Sequence, residues 1–326
     1  MNRRSAIKRT AISMAAFAAA PMLRAENWPA RPITMVLPAS AGSGTDLMAR
    51  ELANRLSIVL KQPVVVDNKP GASGIIGTQQ VVRAVPDGYT ILYTNGTNTV
   101  MAPALLKTMP YDVQRDLQPV AQTAVGGVFL LASNDLPAKN LQELIAYVKA
   151  NPRKLGYGSW AVGSSGHLTM EWLKRQTGME IEHVPYRQVP QLLTDLVSGQ
   201  LKIGWADPAA PLPFIESGRI RAIAVTGKAR LPRSPNVPTL GEQGHAFDSV
   251  GWFGVFAPQG TPKAILQRLN EEIVRIQEQP EMAARSASMN VGVPTIKTPE
   301  QFRDVVARDL QLWKKIVTDA NITVEN

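Results

Sequence analysis

Hydrophobic and polar positions along the chain follow two patterns: short β-branched runs, and longer stretches with an apolar residue every three or four positions. Near the start, Ile33–Leu37 is too short and too β-branched for a helix, whereas residues 49–60 repeat apolar side chains at helical spacing. A turn with two glycines, residues 38–46, separates the two segments. The pattern therefore predicts a strand, a tight turn and a helix as the first unit.

The same unit recurs twice further on. Residues 64–67 predict a buried strand and residues 90–94 another, and each runs into a polar, glycine-containing loop, 68–74 and 95–98. In an open parallel sheet such strand ends lie along one edge, which is where ligands bind. Three polar loops are therefore expected to meet at one edge of an α/β sheet.

The pattern changes at residues 119–132 to adjoining strand-like runs, which predict a crossing into a second domain. Beyond it we expect the strands 181–185, 202–206 and 220–226, and the helices 141–150, 188–198 and 208–217. A second Gly/Ser turn, 155–168, opens onto a helix that continues to residue 175. The strand 251–258 should rejoin the first domain, followed by amphipathic helices. The predicted division is residues 26–123 and 249–326 for the first lobe and 124–248 for the second.

Composition supports a folded two-domain protein with an export leader. The 326 residues exceed one comfortable core, with 44% hydrophobic and 19% charged residues. Positions 1–25 combine five basic residues, no acid and a short apolar run, as a signal peptide does, with cleavage expected after Ala25 and a periplasmic destination. The segment 2–8 approaches the twin-arginine pattern, so both export routes stay open.

Charge and cysteine content exclude several classes. Removing the five basic residues of the leader leaves 30 basic against 26 acidic residues, a net charge of about +4 instead of +9. Nucleic-acid binding loses its main support. The absence of cysteine excludes disulfides and thiolate metal sites. The three histidines have no histidine neighbour at metal-ligand spacing, so neither a metal nor another cofactor is expected.

The first turn has the chemistry of an anion site, because the N–H groups at a helix start lack internal partners and carry the positive end of the dipole. Ser43, Thr45 or Asp46 can cap this helix. An ordinary β-to-α connection that binds nothing fits the same residues. In the second turn Ser164 or Ser165 beside His167 allows an exported serine hydrolase as an alternative, although no oriented acid partner and no Gly-x-Ser-x-Gly elbow is present.

Short motifs in a fixed order give the most specific indication. They are Trp28 to Ile33, the turn ending at Asp46, Asn68-Lys-Pro-Gly-Ala-Ser-Gly, Pro86-Asp-Gly-Tyr, Tyr157-Gly-Ser, Gly163-Ser-Ser-Gly-His-Leu, His183-Val-Pro-Tyr and Phe256-Ala-Pro-Gln-Gly-Thr-Pro. This ordered set resembles the substrate-binding receptors of tripartite tricarboxylate transporters, the Bug-type family, over essentially the whole mature chain. The resemblance implies a type II periplasmic binding protein in which two α/β lobes close on a ligand cleft.

The resemblance also implies a non-catalytic receptor. It would capture a small organic carboxylate and deliver it to membrane permease subunits, and we expect it to act as a monomer. A receptor of the same kind that serves a sensor is a further alternative, which the sequence does not separate.

By the same resemblance, donors of the first turn hold a ligand carboxylate while the second turn closes from above. Trp160 stands where the family has a small residue and could stack on an aromatic ligand or shrink the pocket. Arg187 replaces a lysine and could grip a second carboxylate or lie in solvent. Asp207 could read a polar ligand group or fix the helix that follows it. The candidate ligand-binding residues are Ser40, Ala41, Gly42, Ser43, Thr45, Asp46, Asn95, Ser159, Trp160, Ser164, Ser165, His167 and Asp207.

Overall fold

A computed structural model describes residues 28–323 of the chain. The predicted signal peptide and its cleavage site after Ala25 lie outside the described residues. Within residues 28–323 no helix combines the length and the apolar character that a membrane crossing needs.

Ten strands and eleven α-helices alternate along the described residues, as an α/β fold requires. The strands are β1 (Ile33–Leu37), β2 (Val64–Asn68), β3 (Thr90–Asn95), β4 (Leu117–Gly126), β5 (Phe129–Ser133), β6 (Gly156–Ser159), β7 (Glu182–Pro185), β8 (Ile203–Ala206), β9 (Ile220–Val225) and β10 (Gly251–Pro258). The helices are α1 (Gly44–Leu60), α2 (Ile75–Val82), α3 (Ala102–Leu105), α4 (Val113–Asp116), α5 (Leu141–Ala150), α6 (Ser165–Thr177), α7 (Val189–Ser198), α8 (Leu212–Glu216), α9 (Lys263–Gln277), α10 (Pro280–Ser288) and α11 (Pro299–Asp319).

The strands form two five-stranded sheets, one for each lobe. The first has the order β2-β1-β3-β10-β4 and the second β7-β6-β8-β5-β9. In the first sheet β1 pairs in parallel with β2 and β3, and β10 runs antiparallel to its neighbours β3 and β4. In the second, β6 pairs in parallel with β7 and β8, and β5 runs antiparallel to β8 and β9. The predicted two-lobe α/β fold is confirmed.

The chain passes between the sheets twice, and the two crossings run side by side. The Val128 N–H donates to Thr226 Oγ1 at 3.0 Å, and the Thr226 N–H returns a bond to the Val128 carbonyl at 3.1 Å. A Cβ on Gly127 would lie 2.2 Å from the Thr226 carbonyl oxygen, so only glycine permits this approach. The crossings fall at residues 127–128 and 226–250. The exact lobe boundaries given above stay a prediction.

Two local expectations differ from the structure. β2 was expected to be buried but forms an edge of its sheet, and Val65 is 54% exposed. Residues 208–217 form a helix only over α8, because proline at 208 and 211 supplies no N–H group for the hydrogen bonds of a longer helix.

Candidate functional site

A cavity of about 230 Å³ lies between the two lobes. The first lobe supplies the loops that follow its three parallel strands, within residues 38–45, 70–74 and 94–98. The second lobe closes the cavity with residues 160–162, 185–189 and Asp207. The carboxyl ends of the strands thus meet at one edge, as the sequence pattern predicts.

The first turn is held in shape by its own side chains. Ser43 is the N-cap of α1 and accepts a hydrogen bond from the Asp46 N–H at 3.2 Å. The Asp46 carboxylate accepts from the Gly42 N–H at 2.9 Å, from Arg50 at 3.0 Å and from Asn68 at 3.0 Å. Burial acts to raise the pKa of Asp46, but these three donors outweigh it and hold the pKa below its usual value. Asp46 therefore stabilises the turn, and both of its carboxylate oxygens already accept hydrogen bonds.

The second wall is a left-handed turn from Gly71 to Gly74. All four residues have positive φ, including Ala72 at 45° and Ser73 at 55°. Residues other than glycine rarely adopt a positive φ, and backbone strain of this kind is typical of ligand clamps. The Ser73 hydroxyl donates to the Val162 carbonyl of the other lobe at 2.7 Å.

The third wall begins at the end of β3. The Asn95 amide donates to Thr45 Oγ1 at 3.3 Å, and its Oδ1 accepts from the Thr97 N–H at 3.0 Å. Behind them Asn98 accepts from Thr94 Oγ1 at 2.6 Å and donates to Thr78. These bonds fix the polar atoms of the wall before a ligand arrives.

The turn of the second lobe rests on a buried polar network. Ser164 caps α6 by accepting from the His167 N–H at 3.2 Å, and its Oγ lies 3.0 Å from Ser159 Oγ. Ser159 Oγ in turn lies 2.7 Å from His183 Nε2. His167 Nδ1 accepts from the Gly163 N–H at 3.1 Å. The hydroxyls and the imidazoles thus position the turn from beneath.

Both imidazoles of this network are held neutral. Burial lowers the pKa of His167 to about 4, against a raising effect of the nearby Glu171. Burial and the neighbouring His167 lower the pKa of His183 to about 3. Within residues 28–323 no three histidine or acidic side chains are placed to hold a metal ion.

Direct hydrogen bonds join the lobes across the cavity. Besides the bond from Ser73, Trp160 Nε1 donates to Thr97 Oγ1 at 3.2 Å and Thr45 Oγ1 donates to Asp207 Oδ2 at 3.3 Å. The Val189 N–H donates to Ser40 Oγ at 3.4 Å. The lobes are therefore closed on the cavity in this structure.

The structure brings some of the candidate residues together and keeps others apart. The cavity wall contains Ser40, Ser43, Thr45, Asn95, Trp160 and Asp207. Ser165 borders a recess of about 10 Å³ beside Trp160 and Asp207. Outside the wall lie Ala41 and Gly42, which are exposed, and Asp46, Ser159, Ser164 and His167, whose polar atoms serve the two networks above.

Several wall residues were missing from the candidate list, among them the hydroxyl-bearing Ser73, Thr97 and Tyr186. Ser73 lies in the 68–74 loop, whose composition indicated a turn but not its left-handed form. Thr97 and Tyr186 belong to segments that the sequence identified only as a strand end and a family motif. Arg187, for which two roles stayed open, borders the cavity and is exposed.

Two α/β lobes with a small cavity between them are the architecture of a solute-binding receptor. A family model described as "Tripartite tricarboxylate transporter family receptor" matches residues 48–322, and the chain belongs to this family. Protein BugT of Bordetella pertussis is 35% identical over 297 residues, which cover 90% of this chain and 91% of BugT.

Two solved structures of relatives hold a ligand. Rpa4515 of R. palustris, with adipate, has a TM-score of 0.88 at 33% identity and covers 91% of this chain and 99% of its own. MatC (Rpa3494) from Rhodopseudomonas palustris, with bound malate, has a TM-score of 0.85 at 29% identity and covers 89% of this chain and 100% of its own.

Proposed function

We propose that this protein is a periplasmic receptor that captures a small organic carboxylate between its lobes and delivers it to the permease of a tripartite tricarboxylate-type transporter. The observation that carries the proposal is the cavity between the lobes, lined by hydroxyl-bearing loops of the first lobe and by Trp160, Tyr186 and Arg187 of the second. The relatives described with adipate and malate support the same ligand class.

Size and donor chemistry suit a small acid. A volume of about 230 Å³ lies just below the roughly 300–1,000 Å³ typical of drug-sized ligand pockets, which suits a small metabolite. The hydroxyls of Ser40, Ser43 and Thr97 line the wall together with the start of α1, whose dipole favours a negative charge. Three charge-assisted bonds at about 1.5–3 kcal/mol each supply most of the roughly 8 kcal/mol of micromolar binding.

Calorimetric titration with aliphatic mono-, di- and tricarboxylates, amino acids and aromatic acids tests the binding step. We expect one acid to bind with 1:1 stoichiometry, and Ser40→Ala combined with Thr97→Val to weaken it at least tenfold. Ser288→Ala removes a hydroxyl that bonds a carbonyl of its own helix outside the cavity, and should bind like the parent protein. Failure of every acid to bind would overturn the proposal.

The geometry does not support the hydrolase alternative with Ser164 as the nucleophile. Ser164 Oγ is the cap of α6 and Nδ1 of His167 accepts a main-chain bond, so neither atom is free for a nucleophile–base pair. Steady ester hydrolysis that disappears in Ser165→Ala would favour the hydrolase over the receptor.

Delivery and location need tests in cells. Deletion of the gene should abolish uptake of the bound acid, and fractionation should find a mature protein that begins at Glu26 in the periplasm. Uptake that continues without the receptor, together with a lost transcriptional response to the acid, would favour a partner that is a sensor.

A further inference from the structure

Asp207 is a buried carboxylate that faces the cavity with too few partners. It follows β8 and is only 6% exposed. Among the described residues its side chain has one hydrogen bond, from Thr45 Oγ1 at 3.3 Å, and no cationic side chain lies within ion-pair distance. A buried carboxylate is stable only when donors compensate for the water that it has lost. The Asp207 carboxylate therefore lacks hydrogen-bond donors on the side that faces the cavity.

Arg187 places the opposite charge elsewhere in the same cavity. It is exposed, lies two residues beyond β7 and forms no ion pair with a described residue. Among the described residues that line the cavity, Arg187 is the basic one and Asp207 the acidic one. The cavity thus has an exposed cationic border and a buried anionic wall.

This polarity restricts how an acid can sit. A ligand carboxylate beside Asp207 would be repelled by it, and would itself be denied donors at that end. The same carboxylate is favoured near Arg187 and near the donors of the first turn. The partner that the Asp207 carboxylate still lacks is therefore a ligand N–H or O–H group.

We propose that the ligand carries, besides its carboxylate, a hydrogen-bond donor group that Asp207 accepts, as the hydroxyl of a hydroxy acid or the ammonium of an amino acid would. Asp207 is then the residue that determines specificity between substituted acids and their unsubstituted parents. This inference rests on the proposed function, since it concerns the same cavity.

Matched acids that differ only at the second carbon test the proposed role of Asp207. For the three-, four- and five-carbon skeletons, the parent acid, the 2-hydroxy acid and the 2-amino acid are titrated; the four-carbon set is succinate, malate and aspartate. We expect a substituted acid to bind at least tenfold more tightly than its parent, as one charge-assisted hydrogen bond implies. The hydroxy and amino arms identify which donor is used.

A variant series separates Asp207 from the rest of the cavity. Asp207→Asn, which preserves size, should reduce the preference for the substituted acid at least fivefold while the parent acid binds equally well or better. Asp304→Asn, which removes a carboxylate from an exposed position of α11, should leave the preference unchanged.

The outcomes distinguish the inference from the proposed function. Parent acids that bind as tightly as substituted ones overturn the inference and leave the receptor intact, whereas no binding of any acid contradicts both. A preference that survives in Asp207→Asn also overturns the inference. Binding of a parent acid that tightens as the pH falls below 6, and only when Asp207 is present, would show that Asp207 acts instead as a protonated donor.

Discussion

His167 and His183 lie stacked in the second lobe, with ring centroids 4.2 Å apart and ring planes 27° apart. Both pKa values are lowered, to about 4 and about 3, because burial desolvates both imidazolium ions and His167 also repels a charge on His183. An unfolded histidine has a pKa of about 6.5. The pair therefore stabilises the fold fully above pH 6.5, and this contribution is lost as the pH falls toward 4.

At pH 5 each histidine should cost roughly 2 kcal/mol of unfolding free energy relative to pH 7.5. Between pH 7.5 and 5, the unfolding free energy of His183→Gln should therefore fall by roughly 2 kcal/mol less than that of the parent protein. Urea unfolding at both pH values measures this difference. His245→Gln, on the segment between β9 and β10, is the matched control and should retain the loss of the parent protein. Equal losses in His183→Gln and the parent would contradict the assignment.

Trp160 should help to hold the lobes closed through its bond to Thr97. Trp160→Phe keeps an aromatic ring but removes the N–H donor, so we expect ligand affinity to fall by about 0.5–1.5 kcal/mol, up to roughly tenfold. Thr97→Val removes the other partner. In a double-mutant cycle the two changes should be less than additive by about 1 kcal/mol, and strict additivity would show that the bond does not couple the lobes.

Asp207 should lower the stability of the unliganded protein at neutral pH. Burial raises its pKa to about 6, partly opposed by the hydrogen bond from Thr45. A raised carboxyl pKa means that the ionised form is disfavoured in the folded protein, so the penalty is present above pH 6 and disappears as the pH falls toward 4. The shift from 3.8 corresponds to at most about 3 kcal/mol.

Asp207→Asn should accordingly raise the unfolding free energy by about 1–3 kcal/mol at pH 7.5, and the gain should vanish near pH 4. Urea unfolding over this pH range measures the difference, with Asp304→Asn as the surface control. A gain that is the same at pH 7.5 and pH 4 would mean that ionisation of Asp207 is not its cause.

Ala72 should be one of the few positions where glycine improves stability. Its φ of 45° lies in the left-handed region, which costs a side chain about 1–2 kcal/mol. Ala72→Gly should therefore raise the unfolding free energy by up to about 1 kcal/mol, after the greater entropy of an unfolded glycine is subtracted. Ala283→Gly, in the middle of α10 and exposed, should lower it by about 1 kcal/mol. The same sign for both variants would refute the strain argument.

Local pattern made the first unit predictable, because β-branched residues, glycines and helical spacing all occur within Ile33 to Leu60. It could not reveal the pairing of His167 with His183, which are sixteen residues apart in sequence. Parallel pairing of β6 with β7 places His183 opposite Tyr157, and the capped start of α6 places His167 over it. That contact depends on strand register and helix packing, which no spacing of residue types records.

The candidate site shows the same limit at the level of single side chains. Ser164 and Asp46 were both candidate ligand-binding residues, and both lie in turns that face the other lobe. Their polar atoms already form the hydrogen bonds that shape those turns. Thr97 reaches the wall because the chain after β3 enters a turn of π-helix, Thr97–Met101, which the sequence Asn95-Gly-Thr-Asn indicated only as a loop.

Gly44 should be required for closure of the lobes. A Cβ built at this position would lie 2.8 Å from Asp207 Cβ across the cleft, closer than packed side chains come. Gly44 is the first residue of α1, where alanine is well tolerated by the helix itself. Gly44→Ala should therefore fold normally, favour the open state and weaken ligand binding at least tenfold.

Small-angle scattering and calorimetry test this together. The variant should have a larger radius of gyration than the parent protein in the presence of ligand and a lower affinity, with an unchanged or higher unfolding free energy. Gly241→Ala is the matched control, since the nearest atom to its added Cβ is 3.6 Å away, outside the cleft. Normal affinity in Gly44→Ala would mean that the lobes close by a path that leaves room between α1 and Asp207, and would overturn the assignment of this contact to the closed state.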